Sequence, residues 1–365
     1  MQTVENNAAH ARVGTQSIGR GRAVGALSVG PPSASQPFKF FFADHQIFFI
    51  VSIAMIVAVA LASAATPMLF TAATVFLFGG AHNLAEFRYF VSRLPSRFGP
   101  LRPFFLTSFI GVSVLFIAEV AFICLVHEKL LSLSTANTVL LIWNELLIGW
   151  MVSLCLLRYR GMPIDTLSIN LLIAGLASVA NCIAPSVFTI ALTYLHPVVA
   201  LVLFERELRR SRKSWLRPYH WCLVAVALAL VALVFALHGS APPSSRLAAN
   251  IGSRAAAQIF NGEYAYMLFA IFGFLQTLHY CVWLIAMPIA TQGWKKWSLG
   301  RIAVARERAN LRSLLLLVTA VGALAVVGFW IGFSLNYETT NEIYITVGTL
   351  HVLAEIPFLF WMFES

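Results

Sequence analysis

Five ionisable side chains stand inside long apolar stretches of this chain: His82, Glu145, His196, His279 and His351. In lipid such groups are expensive, so each is read first as a functional residue. Two of the histidines have a carboxylate four residues on, His82 with Glu86 and His351 with Glu355. On a helix, residues i and i+4 share a face. The spacing therefore predicts that each glutamate either joins its histidine's site or accepts that ring's N–H, which fixes the tautomer and strengthens the other nitrogen as a ligand. Glu145 is expected in the same orienting role. Asn83, Glu119, Asn144, Gln276 and Tyr280 are further polar groups in apolar surroundings that can support such a site.

Several imidazoles placed together suit a transition metal. Non-haem iron is one answer, since imidazole suits iron and open coordination positions admit dioxygen; zinc and copper accept the same ligands. The expected metal set is His82, His196, His279 and His351, with Glu86, Glu145 and Glu355 acting on it. Single histidines also serve as axial ligands of haem or chlorophyll, as members of a proton relay, or as hydrogen-bonded packing residues. No lysine lies mid-span, which excludes a retinal Schiff base. The five cysteines all lie in apolar segments without paired spacing and indicate neither a disulfide framework nor a zinc motif.

The elements that would position these residues are membrane helices. Of 365 residues, 59% are hydrophobic and 11% charged, where soluble domains carry about 25% charged residues. A helix crosses the bilayer core with roughly 20 apolar residues. Spans are predicted near 47–64, 68–90, 104–126, 136–157, 166–183, 186–204, 219–238, 263–290, 313–336 and 341–363. The stretch 47–90 must fold back near Pro67. The stretch 166–204 must do so between Asn181 and Pro185, because as one helix it would be about 58 Å long. The predicted fold is an all-α, ten-span bundle, a single domain over residues 41–365. Residues 1–40, rich in Ala, Gly, Ser and Pro, read as a disordered cytoplasmic tail.

The basic residues test this count. With both termini cytoplasmic, every Lys and Arg except Lys129, Arg246 and Arg254 falls on the inside, the asymmetry expected of an integral protein of a bacterial cytoplasmic membrane. The net charge of +10 sits mainly in short loops between apolar runs, which points away from a nucleic-acid partner. The loops Glu205–Pro218 and Gly293–Arg312 are the most basic. The second, with Trp294 and Trp297 flanking Lys295 and Lys296, has the composition of an interfacial helix on a lipid surface.

All five intramembrane residues named first lie on even-numbered spans, which run in one direction. Counted from the outer ends, they fall in a depth window of about 10 Å. Side chains at such depths converge if these helices pack together.

At these residues the chain resembles the Brp/Blh family of membrane β-carotene dioxygenases. The segment Gly79-Gly80-Ala81-His82-Asn83-Leu84-Ala85-Glu86 is similar to the family's first histidine motif and Leu350-His351-Val352-Leu353-Ala354-Glu355 to its last. Gln276-Thr277-Leu278-His279-Tyr280 resembles a middle motif, and Tyr194-Leu195-His196 resembles another in its histidine alone. The chain lacks the family's proline before His82, carries Glu86 where the family has aspartate, and has more spans. The resemblance implies Fe(II) held by the histidines, molecular oxygen as co-substrate, and an apolar small-molecule substrate such as a carotenoid.

Overall fold

The computed structural model describes residues 45–95, 99–128, 130–159, 164–240, 262–291, 302, 305, 306 and 309–362. The amino-terminal tail and most of Gly293–Arg312, with the interfacial segment expected there, lie outside the described residues.

Ten long helices form the described structure, and no strand occurs among these residues. They are α1 His45–Ala65, α2 Pro67–Ser92, α3 Arg102–His127, α4 Leu133–Arg158 and α5 Ile164–Ile183. There follow α6 Pro185–Ser211, α7 Leu216–Leu237, α8 Gly262–Cys281, α9 Ala309–Leu335 and α10 Tyr337–Met362. Helix α8 runs on through a π-helical turn, Val282–Ala286, and a last turn, Met287–Ala290.

Both expected fold-backs are present. Single residues, Thr66 and Ala184, separate α1 from α2 and α5 from α6, and the next helix opens on Pro67 or Pro185. Proline suits a first helical position because its missing N–H would have no partner there and its φ is already helical. Nine helices are long and apolar enough to cross a membrane. The remaining one, α5, begins on polar residues and has a shorter apolar stretch, Leu167–Ile183.

Large apolar residues such as Leu61, Phe109, Phe235 and Leu335 are exposed on the outer surface. In water they would form an aggregating patch; in a bilayer they meet acyl chains. Helix α8 is the central member, with 67% of its apolar window buried against at most 33% for the other eight spans. It packs most extensively on α2. Phe90 of α2, Phe204 and Leu208 of α6, Met287 near the end of α8 and Met362 of α10 share one core cluster with Phe48 and Trp215, which precede or open α1 and α7. The carboxyl ends of α2, α6, α8 and α10 therefore lie together, and these four helices run the same way, as the even-span pattern requires.

One boundary differs from expectation. The sequence places Glu205 onward in a basic loop, but α6 continues to Ser211 and buries Glu207 and Leu208. Arg209 and Arg210 project from the same turns into exposed positions, so their charge masks a helix whose other face is internal.

Candidate metal centre

Small residues draw the site helices together. A methyl group on Gly79 would lie 2.5 Å from Tyr344 Oη of α10, and one on Gly80 would lie 3.0 Å from Val326 Cγ2 of α9. A methyl group on Gly273 of α8 would collide with the Thr71 hydroxyl of α2. In a membrane, where apolar helices gain little by hiding from lipid, such close backbone approach is a main source of association. These contacts set α8, α9 and α10 against α2 at Thr71, Gly80 and Gly79, the last two in the turn before His82.

The four histidines converge. The His82 ring centroid lies 5.1 Å from that of His279 and 5.3 Å from that of His351. The His196 ring lies 4.7 Å from His279 and 5.5 Å from His351. Glu86 enters the same space, its Oε2 being 3.2 Å from His351 Nε2 and 3.9 Å from His279 Nε2. One ligating atom each from His82, Glu86, His279 and His351 fall within 4.8 Å of one another. His196 completes the ring of imidazoles and is held from behind, with its Nδ1 3.0 Å from Glu355 Oε2. His82 Nδ1 lies 3.3 Å from the Phe78 carbonyl on its own helix, which turns Nε2 toward the cluster.

Glu86 meets the first of the two outcomes the spacing predicts, joining the site of His82, whereas Glu355 bonds a histidine other than its own. Glu86 faces His351 and His279 rather than His82, and Glu355 faces His196 rather than His351. The i+4 rule places His82 and Glu86 on one face correctly, but that face looks into the crossing of four helices. A nitrogen from a neighbouring helix is nearer there than the one a turn away.

Glu145 does not join the site. Its carboxylate accepts hydrogen bonds from Ser178 Oγ at 2.7 Å and Asn181 Nδ2 at 2.8 Å, both on α5. Asn144 donates to Asn181 Oδ1 at 2.8 Å and bonds with Thr189 of α6. Glu145 and Asn144 thus satisfy the polar residues at the α5–α6 fold-back, a structural task that fully explains a glutamate inside α4. Its depth matched the histidines; its helix face did not. Of the other polar groups, Tyr280 lies against His82 with ring centroids 4.5 Å apart, and its hydroxyl is 3.3 Å from that of Tyr344.

Sequence reasoning missed a second polar group, at the carboxyl end of α2. Glu207, buried in α6, accepts from Tyr89 Oη at 3.0 Å and from Arg93 Nη2 at 2.8 Å. The signal was present in Tyr89 and Arg93, four residues apart on one helix face, but Glu207 was hidden in an arginine-rich run.

The residues fit a metal ion. Glu86 and His279 are 1% and 0% exposed. Yet both carboxylate oxygens of Glu86, both ring nitrogens of His279, Nε2 of His351 and Oε1 of Glu355 lack a hydrogen bond of good geometry. Each such buried atom left unpaired costs about 1–3 kcal/mol, and native proteins seldom tolerate several in one place. Donors that crowd together without bonding one another are disposed for a common electrophile. Comparison with protein-family models, curated proteins and solved structures finds no match, so the arrangement of these side chains carries the functional reading.

Proposed function

We propose that the chain is a metal-dependent membrane oxygenase, with non-haem Fe(II) held by His82, His279, His351 and Glu86 and by the oriented imidazole of His196. The observation that carries this reading is the convergence of buried ligand atoms within 4.8 Å, with so many hydrogen-bonding positions unfilled. Mixed imidazole and carboxylate donors suit iron, which when bound would supply dioxygen activation. Glu86 and Glu355 together balance the charge of a divalent ion. Glu355 holds His196 so that its Nε2 presents a lone pair, and the surrounding apolar helices exclude water from reactive species. The rings stand too close to one another to sandwich a haem or chlorophyll macrocycle among them, which disfavours the pigment-binding alternative. A proton relay draws no support from Glu145, which is absorbed by the α5–α6 fold-back.

The proposed substrate is an apolar lipid, a carotenoid by the resemblance of the histidine motifs. A groove of about 560 Å³ on the lipid-facing side between α2 and α9 is lined by Phe76, Leu77, Trp330 and Ile331. Aromatic residues connect it to the cluster: Phe76 packs on Phe333, Phe333 on Tyr344, and Tyr280 lies between Tyr344 and His82. In the expected reaction a polyene double bond breaks and each half takes one oxygen atom. Membranes containing the protein, loaded with Fe(II) and given β-carotene in air, should accumulate retinal, and membranes with His351→Ala should not. Equal retinal from both would remove the assignment. Oxygen uptake that depends on another apolar lipid would retain the oxygenase and change its substrate.

We place both termini on the cytoplasmic side of a bacterial inner membrane, on the distribution of basic residues. Reporter fusions after Arg102, Arg160, Arg217 and Arg312 should all report the cytoplasm; an external signal at any one of them would invert the later helices and reject this topology.

A further inference from the structure

An aromatic chain leads away from the histidine cluster toward the carboxyl end of α2. His279 and Trp283 are one turn apart on α8, with ring centroids 6.4 Å apart. Trp283 opens onto Tyr89 at 5.4 Å. Tyr89 in turn bonds to Glu207 at 3.0 Å, and Arg93 lies over the Tyr89 ring at 5.0 Å while pairing with the same carboxylate. The Arg93 side chain is 25% exposed, whereas that of Glu207 is 5% exposed, so the chain runs from the buried site to the edge of the bundle.

Ordinary packing explains aromatic neighbours, but three features are specific. Trp283 is 1% exposed and its indole N–H has no partner, an unusual cost for a residue whose only task is to fill space, where phenylalanine or leucine would serve. It sits in the π-helical turn Val282–Ala286, a distortion found frequently at functional sites. Tyr89 is hydrogen-bonded to a buried carboxylate, the arrangement a phenol needs to lose an electron, because the phenolic proton has an acceptor in place. Tyr280 is nearer to the cluster, but its hydroxyl bonds to Tyr344 and Gln276, neither of which is a carboxylate.

We propose that Trp283 and Tyr89 form an electron relay between the histidine cluster and the Arg93 end of the bundle, with Glu207 accepting the Tyr89 proton. Tyr89 gives one electron through the Trp283 ring to metal oxidised by dioxygen at the cluster, and its phenolic proton passes to Glu207 Oε2. The products are a tyrosyl radical and a protonated Glu207, with the metal reduced by one electron. A one-electron reductant of the aqueous phase, arriving at the Arg93 end, restores the phenol as Glu207 returns the proton. The relay refills the site with electrons, or drains an oxidising equivalent when substrate is missing.

This inference rests on the metal-centre reading, and its test separates the two. Full-length protein carrying ring-deuterated tyrosine is loaded anaerobically with Fe(II), mixed with dioxygen without substrate, freeze-quenched and read by electron paramagnetic resonance. Iron content and oxidation are followed by Mössbauer spectroscopy. A tyrosyl signal narrowed by the deuterium is expected. It should be lost in Tyr89→Phe, which keeps the ring, and in Trp283→Phe, which keeps an aromatic that is far harder to oxidise. Both variants should bind and oxidise iron as the parent does. A signal unchanged in Tyr89→Phe, or one lost instead in Tyr280→Phe, overturns the relay alone, as does iron oxidation with no tyrosyl radical. Protein that takes up no iron overturns the metal centre and the relay with it.

Discussion

His279→Ala protein is expected to lose its metal, with affinity falling by more than the roughly 10- to 100-fold that changes to supporting residues cost. His279 is the least exposed of the four histidines and the only one on the central helix α8, and its Nε2 lies 3.9 Å from Glu86 Oε2. A packing histidine would behave differently. Its removal would leave a cavity and lower stability whether or not metal is present. Under the metal account, added metal raises the melting temperature of the parent by mass action and leaves that of His279→Ala unmoved. His238→Ala is the control, since His238 is exposed at the end of α7 against Tyr264, and it should bind metal as the parent does. Metal-dependent stabilisation that survives in His279→Ala would count against the site.

The second large effect belongs to Glu355, and its pattern distinguishes the observed pairing from the one the spacing predicts. Glu355→Gln keeps an oxygen that can accept the His196 N–H but loses the charge that makes the ring a stronger donor to metal. A fall of about 10- to 100-fold in metal affinity is expected. Glu355→Leu removes the acceptor as well and leaves a buried N–H unpaired, at a cost of about 1–3 kcal/mol in stability. Because Glu355 acts through His196, adding Glu355→Gln to His196→Ala should lower metal affinity little further, whereas adding it to His351→Ala should compound the loss. Groups that act as one unit are non-additive in this way. Isothermal titration of the single and double variants reads the difference; full additivity with His196→Ala would return Glu355 to His351.

Much of this fold was legible because a membrane imposes few solutions. Apolar length, Pro67 and Pro185, and the basic loops between apolar runs defined ten helices and their turns. The four histidines could be grouped because parallel spans convert sequence position into depth. Depth alone, however, gives no rotation about the helix axis, and rotation is what assigned Glu145 to the α5–α6 fold-back and Glu355 to His196. Rotation is set by close contacts such as Gly79 on Tyr344 and Gly273 on Thr71, which involve partners far apart in the chain. Glu207 was missed for a related reason: one buried carboxylate among exposed arginines has the composition of a loop.

The central claim is that His82, Glu86, His196, His279 and His351 hold one metal centre. Its most direct test is elemental analysis of purified protein combined with X-ray absorption at the edge of the metal found. The account predicts about one transition metal, or a coupled pair, in a shell of nitrogen and oxygen at about 2.0–2.2 Å, with the multiple scattering of several imidazoles and no sulfur. Those imidazole features should weaken in His279→Ala. Protein that is fully folded and active without metal, or metal bound through sulfur or within a porphyrin, would contradict it.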